Sequence, residues 1–185
     1  MQLIENVLDR YSFSSLQSYV LGEDFHWFYN PKLTDPNDPT PDPGLTRKIF
    51  DSERGLRDDA VLPITLPILN ICSERSDVKV LNLLQVRLFM NIPGVNNKRV
   101  VHKDLKHPHK VCLFYLTSCS EEEPETHTEF YDEDGNLFHK IVPKQNCAAV
   151  FDGSIAHSAG CAGGAERAVI NFNFVEDISY VPNNR

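Results

Sequence analysis

The chain has 185 residues, 41% hydrophobic and 24% charged, the balance of one globular domain with a core of ordinary size. A formal net charge of −8 and the lack of a Lys/Arg cluster argue against a protein that grips a nucleic-acid backbone. No uncharged apolar run approaches the length of a transmembrane helix, and the start at Met1-Gln-Leu-Ile-Glu-Asn6 lacks the basic and apolar stretches of a secretory leader, so no membrane partner is expected.

Leu3 to Leu21 reads as one or two short helices interrupted by serines. Asp24 to Tyr29 is aromatic-rich and should anchor the N-terminal segment, with His26 in an aromatic packing cluster beside Trp27. Pro31 to Pro43 holds five prolines and is expected to be a long surface loop, a plain connector more than a lid. Pro63 to Ser73 reads as a helix begun at a proline and ended near Glu74-Arg75. Leu84 to Ile92 alternates, with Gln85, Arg87, Phe89 and Asn91 on one side. That side is expected to be a polar outer sheet face; the other possibility is the wall of a cleft.

His102-Lys-Asp104 follows, and with His157 and Arg167 it is the most informative feature of the chain. Two imidazoles and a carboxylate can take one face of an Fe(II) ion and leave the opposite positions open, the arrangement of non-haem iron centres that activate O₂. Residues at i and i+2 of an extended segment point the same way, so His102 and Asp104 can approach one ion together. Arg167 offers a fixed cation with a bidentate fork for a carboxylate. His107 and His109, around Pro108, read as a solvated loop near the entrance. Val111 to Thr117 is a strand apolar on both faces, and the acidic run Cys119 to Glu125 is a solvated loop.

His127 is expected on a strand surface. Tyr131-Asp-Glu-Asp-Gly-Asn136 carries a strong hairpin-turn signal. Ala148 to Ala156 is a β-type run broken at Asp152-Gly153, and it delivers His157. After a Gly-rich turn (Cys161 to Gly164), Arg167, Val169, Asn171 and Asn173 fall on one face and Ala168, Ile170, Phe172 and Phe174 on the other. A hairpin between these two segments would bring His157 and Arg167 into one barrel mouth. Five cysteines form an odd set without a C-x-x-C pair, and Cys112 and Cys147 sit in apolar runs. Reduced thiols and a cytoplasmic setting are expected.

The run from His102 to Thr117 resembles the HxD segment and the following Tyr-Leu-Asn-type strand of Fe(II)- and 2-oxoglutarate-dependent dioxygenases, in their prolyl-hydroxylase-like branch. Thr126-His-Thr-Glu-Phe130 is similar to that branch's Gly-Gly-Thr-x-Phe strand. Val142-Pro-Lys-Gln-Asn146 and Val150-Phe-Asp-Gly-Ser-Ile-Ala-His157 resemble its Pro-Lys-x-Gly turn and Phe-x-Gly-x-x-x-His strand. The resemblance spans residues 84 to 175. It implies a mainly β fold with flanking helices, a double-stranded β-helix (jelly-roll, cupin-like). One domain over 1–185 is expected, with 1–80 as helical and loop support and 80–176 as the jelly-roll core.

By the same resemblance, His102, Asp104 and His157 would ligate iron. Arg167 would pair with the distal carboxylate of 2-oxoglutarate, and Tyr115 would add a hydroxyl to it. Fe(II), 2-oxoglutarate and O₂, with ascorbate in support, would hydroxylate a C–H bond of an amino acid, a prolyl peptide or another small substrate, releasing succinate and CO₂. Three departures stand out: Glu125-Thr-His127 replaces the Gly-Gly pair, Asn146 ends the Pro-Lys turn, and Val169 stands where many relatives have serine. The rival is a non-oxygenase cupin-type metal-binding barrel, a Lewis-acid isomerase or a binding module, which needs no arginine after the last histidine.

Overall fold

β-branched and aromatic residues fill the second half of the chain in short runs, and the computed structural model pairs these runs into two facing sheets. It describes residues 1–34, 42–92, 100–122, 126–159 and 166–176. Among them lie β1 (Gln2–Ile4), α1 (Arg10–Val20), β2 (Phe28–Asn30), β3 (Gly44–Asp51), β4 (Gly55–Leu56), α2 (Val61–Ser76) and β5 (Asn82–Met90). Then come β6 (Lys110–Tyr115), β7 (Thr128–Tyr131), β8 (Leu137–Ile141), β9 (Cys147–Asp152), β10 (Ala156–Ala159) and β11 (Ala168–Val175). The larger sheet has the order β1-β9-β6-β11-β5-β3-β2, with β4 on β3; the smaller has the order β10-β7-β8. Every pairing of named strands is antiparallel. This is the expected double-stranded β-helix with flanking helices.

The large sheet is covered on both faces, which explains why β6 is apolar without alternation. Cys112 and Phe114 join the core that includes Phe13 and Leu16 of α1 and Ile68 and Leu69 of α2. Val111, Leu113 and Tyr115 face the other way and pack with Phe130 and Phe151 between the sheets. Strand β11 keeps its two expected faces, yet all eight of its residues are buried. Ala168, Ile170, Phe172 and Phe174 belong to the helix-side core, so Val169, Asn171 and Asn173 point between the sheets. The helices cover one face: α1 starts on Asp9, whose carboxylate accepts from the Tyr11 and Ser12 amides. Among the described residues no helix is long and apolar enough to cross a membrane.

Several expectations change here. Leu3 to Leu21 is a strand followed by one helix, because Gln2–Ile4 pairs with the edge strand β9 before the chain turns into α1. The second helix runs from Val61 to Ser76, beyond Pro63–Ser73 at both ends; the Asp58 carboxylate accepts from the Val61 amide, and Asp77 closes it in a left-handed conformation. His26 is exposed, whereas the aromatic cluster consists of Tyr19, Phe25 and Trp27, with ring centroids 5.4 and 5.2 Å apart.

The hairpin expected between the segments carrying His157 and Arg167 does not form. Strand β10 pairs with β7 in the small sheet and β11 with β5 and β6 in the large one, so the two residues approach from opposite walls. The Gly-rich turn 161–164 lies outside the described residues, as do 35–41 of the Pro-rich loop and 123–125 of the acidic run. The hairpin at Tyr131–Asn136 is present, with Gly135 at φ +81° in the turn between β7 and β8.

Asn146 ends the Pro-Lys turn in a backbone conformation that suits glycine. It adopts φ +60°, a conformation asparagine tolerates better than most side chains. Its side chain accepts from the Leu8 amide at 2.9 Å and donates to the Leu8 carbonyl at 2.8 Å. The Val7 amide bonds its carbonyl, and its own amide bonds Tyr115. One residue thus ties the N-terminal segment to the barrel.

Candidate metal centre and its cavity

His102 and His157 form an isolated antiparallel bridge in which each backbone amide donates to the other's carbonyl at 2.9 Å. Their rings stand 4.7 Å apart, centroid to centroid. Asp104, two residues on, turns the same way. Its Oδ1 lies 3.6 Å from His102 Nε2 and 3.9 Å from His157 Nε2. The three donor atoms all fall within 4.8 Å of one another.

Both imidazoles are oriented from behind. Nδ1 of His102 meets the Val100 carbonyl at 3.0 Å, and Nδ1 of His157 meets the Ile155 carbonyl at 3.1 Å. A carbonyl only accepts, so Nδ1 carries a proton, and in the neutral ring Nε2 holds the lone pair that an ion beside Asp104 would take. Asp104 is fixed too: Asn171 Nδ2 donates to its Oδ2 at 2.9 Å. Two neutral imidazole nitrogens and one carboxylate oxygen on one side of a point are a donor set suited to a first-row divalent ion.

The carboxylate and the two rings also act on one another directly. Burial would push Asp104 toward its acid form. The hydrogen bond with His102, the charges of both histidines and the Asn171 donor outweigh it and hold the carboxyl far below its usual range. Burial likewise opposes the charged form of His102, but Asp104 overrides it and the ring is raised. At His157 burial prevails over Asp104, helped by His102, and the ring is lowered.

Arg167 enters from the large sheet just before β11 and is 2% exposed. Its Nη2 donates to Thr128 Oγ1 at 2.8 Å, and the Tyr115 hydroxyl lies 2.9 Å from the same oxygen. Tyr115 is fully buried and does not line the cavity, whereas Thr128 and Arg167 do. Burial raises the Tyr115 phenol, which stays neutral and able to donate. Thr128 is a site residue not singled out from the sequence; its signal was its place in the Thr126–Phe130 strand. Asn171 was placed on the right face but given no task, and its pairing with Asp104 required the fold.

These groups open into one cavity of about 480 Å³, lined among others by Leu113, Val169 and Asn171. Arg87, Phe89 and Asn91 line it as well, so the side of β5 read as a polar outer face is an inner wall. The cause is strand order: β5 sits beside β11 in mid-sheet, with Arg87 opposite Asn171. Leu33, Thr34 and Asp42, the two ends of the Pro-rich segment, meet at the rim, where Thr34 donates through its amide and hydroxyl to Asp42.

Two further histidines depart from expectation. His109 is buried rather than solvated: its Nδ1 bonds the His107 carbonyl at 2.8 Å, and its ring fills the space where a Cβ of Gly153 would stand. His127 is buried at 7% exposure. Neither they nor the half-buried His107 line the cavity.

No protein-family model matches the chain, and no curated protein matches it. Solved structures do. A Pseudomonas putida prolyl-4-hydroxylase aligns with TM-score 0.61 and 16% identity, over 95% of this chain and 92% of that one. A Trichoplax adhaerens prolyl hydroxylase, in complex with a hypoxia-inducible-factor peptide fragment, aligns at 0.65 and 15%, over 94% and 82%. HygX from Streptomyces hygroscopicus, with nickel and 2-oxoglutarate bound, aligns at 0.62 and 14%, over 95% and 82%. At such identities the likeness is one of fold, and it is the double-stranded β-helix of the 2-oxoglutarate/Fe(II) oxygenases.

Proposed function

We propose that this protein is an Fe(II)- and 2-oxoglutarate-dependent oxygenase that hydroxylates a C–H bond of an amino acid, a prolyl peptide or another small substrate. The observation that carries the proposal is the convergence of His102, Asp104 and His157 in a cavity whose wall holds the buried Arg167. The solved relatives support it, since one holds 2-oxoglutarate with nickel and another a peptide.

The iron and its cosubstrate, when bound, supply the oxidising chemistry: decarboxylation of 2-oxoglutarate to succinate and CO₂ drives oxygen insertion. The chain's own residues position and isolate it. His102, Asp104 and His157 would hold the ion. Arg167 and Thr128 take the distal carboxylate, and Tyr115 acts on that carboxylate through Thr128. Leu113 and Val169 supply apolar wall that keeps water from the reacting groups.

Succinate release from 2-oxoglutarate with Fe(II) and ascorbate, without prime substrate, tests the proposal. Slow turnover abolished by His157→Ala is the expected result. Metal binding with neither succinate release nor stabilisation by 2-oxoglutarate would assign the barrel to the Lewis-acid or binding class instead.

A further inference from the structure

The cavity holds a second guanidinium that the chemistry above leaves without a task. Arg87 projects from β5 beside the triad, and among the described residues it makes no hydrogen bond or ion pair. It feels Asp104 and Asp51 only through space. A guanidinium partly withdrawn from water without a partner is costly, and a ligand carboxylate would relieve it with two parallel hydrogen bonds.

Position separates Arg87 from the cosubstrate's anchor. It stands opposite Asn171, four residues along β11 from Arg167. At about 3.3 Å per residue the strand covers roughly 13 Å between them, more than the span of an extended five-carbon diacid. Asp104 is held by Asn171, the residue opposite Arg87, and so stands at the Arg87 end. A molecule paired with Arg87 would therefore lie beside Asp104, away from the Arg167 end of the cavity.

Charge points the same way. Among the described residues, apart from the triad and Arg167, the charged side chains lining the cavity are Arg87, Lys103, Lys106 and Asp42, a cationic excess in a chain of net charge −8. A cavity near 480 Å³ has room for the cosubstrate and a second molecule of similar size.

We infer that Arg87 binds a carboxylate of the prime substrate, and that this substrate is a free acid of amino-acid size. The inference rests on the oxygenase reading. Its test is binding of the free proteinogenic amino acids and their primary amides to the anaerobic Fe(II)/2-oxoglutarate-loaded protein, read by thermal shift and calorimetry. At least one acid should bind roughly tenfold or more tightly than its amide, the worth of a charge-assisted pair. Arg87→Gln should abolish that preference and Arg87→Lys keep part of it.

Equal binding of every acid and its amide overturns the inference, and that comparison needs no variant. So does an Arg87→Gln protein that keeps the preference but binds 2-oxoglutarate more weakly, which would make Arg87 a cosubstrate residue. Binding confined to capped tripeptides containing Asp or Glu would put the carboxylate on a peptide side chain and overturn the free acid. A protein stabilised by neither Fe(II) nor 2-oxoglutarate removes the oxygenase reading itself; one stabilised by both but indifferent to acid against amide removes only the role of Arg87.

Discussion

Asn171 gives one end of its amide to Asp104, while its Oδ1 is buried without a partner among the described residues. Groups behind a metal ligand fix its rotamer, and their loss commonly weakens metal binding by about 10- to 100-fold. Asn171→Leu should therefore lower Mn(II) or Fe(II) affinity within that range while the fold persists, as read by metal titration and circular dichroism. Unchanged affinity would make the contact incidental. Arg167→Ala removes a buried, charge-assisted donor, an interaction of about 1.5–3 kcal/mol. The 2-oxoglutarate concentration for half-maximal turnover should rise roughly tenfold or more, with metal affinity retained. That His102, Asp104, His157 and Arg167 would meet at one cavity was legible because each belongs to a short motif in a fixed order. Thr128 and Asn171 were not, because a hydroxyl or amide says nothing of its partner until two strands are paired. His109 was misread for the opposite reason, since only the contact with Gly153 makes a histidine beside a proline part of the interior.

The turn at Asn146 and the corner after β9 show what single elements contribute. Asn146→Ala loses both side-chain bonds to Leu8 and strains a left-handed backbone, for a cost of about 3 kcal/mol. Asn146→Gly loses the bonds but relieves the strain, so urea denaturation should rank it between alanine and the parent chain. At the β9 corner, burial opposes the charge of Asp152. The Ser154 hydroxyl and amide and the Lys110 ammonium outweigh it and bring the carboxyl down to about 2. A depressed carboxyl stabilises the fold above its unfolded value and loses that contribution as pH falls toward about 2. Asp152→Asn should flatten that part of an acid-denaturation profile by removing the same contribution at neutral pH, a modest one because the group is half exposed. Element types were readable where one period ruled, as in β6, β11 and the β7–β8 hairpin. They were not readable at residues 2–4, where three residues become a strand only because β9 offers an edge. Nor could local sequence say that β10 and β11, close along the chain, belong to facing sheets.

For the molecule as a whole, the site spans the two sheets: His157 comes from the small one, Asn171 from the large one, with Arg167 just ahead of it. A ligand that engages both sides ties the layers together. Metal and 2-oxoglutarate, each at about 100 times its Kd, should each add roughly 2.7 kcal/mol, a rise in Tm of about 5–10 °C. Chelation should reverse the metal's share, and Arg167→Ala should lose the cosubstrate's share alone. The mutual amide bonds between His102 and His157 carry this further. They hold two of the three proposed ligands in register with no help from an ion, so one cation could replace another without the surrounding chain refolding. Discrimination then falls to intrinsic affinity and supply, and Ni(II), Cu(II) or Zn(II) should displace Fe(II) and silence turnover while the barrel stays intact.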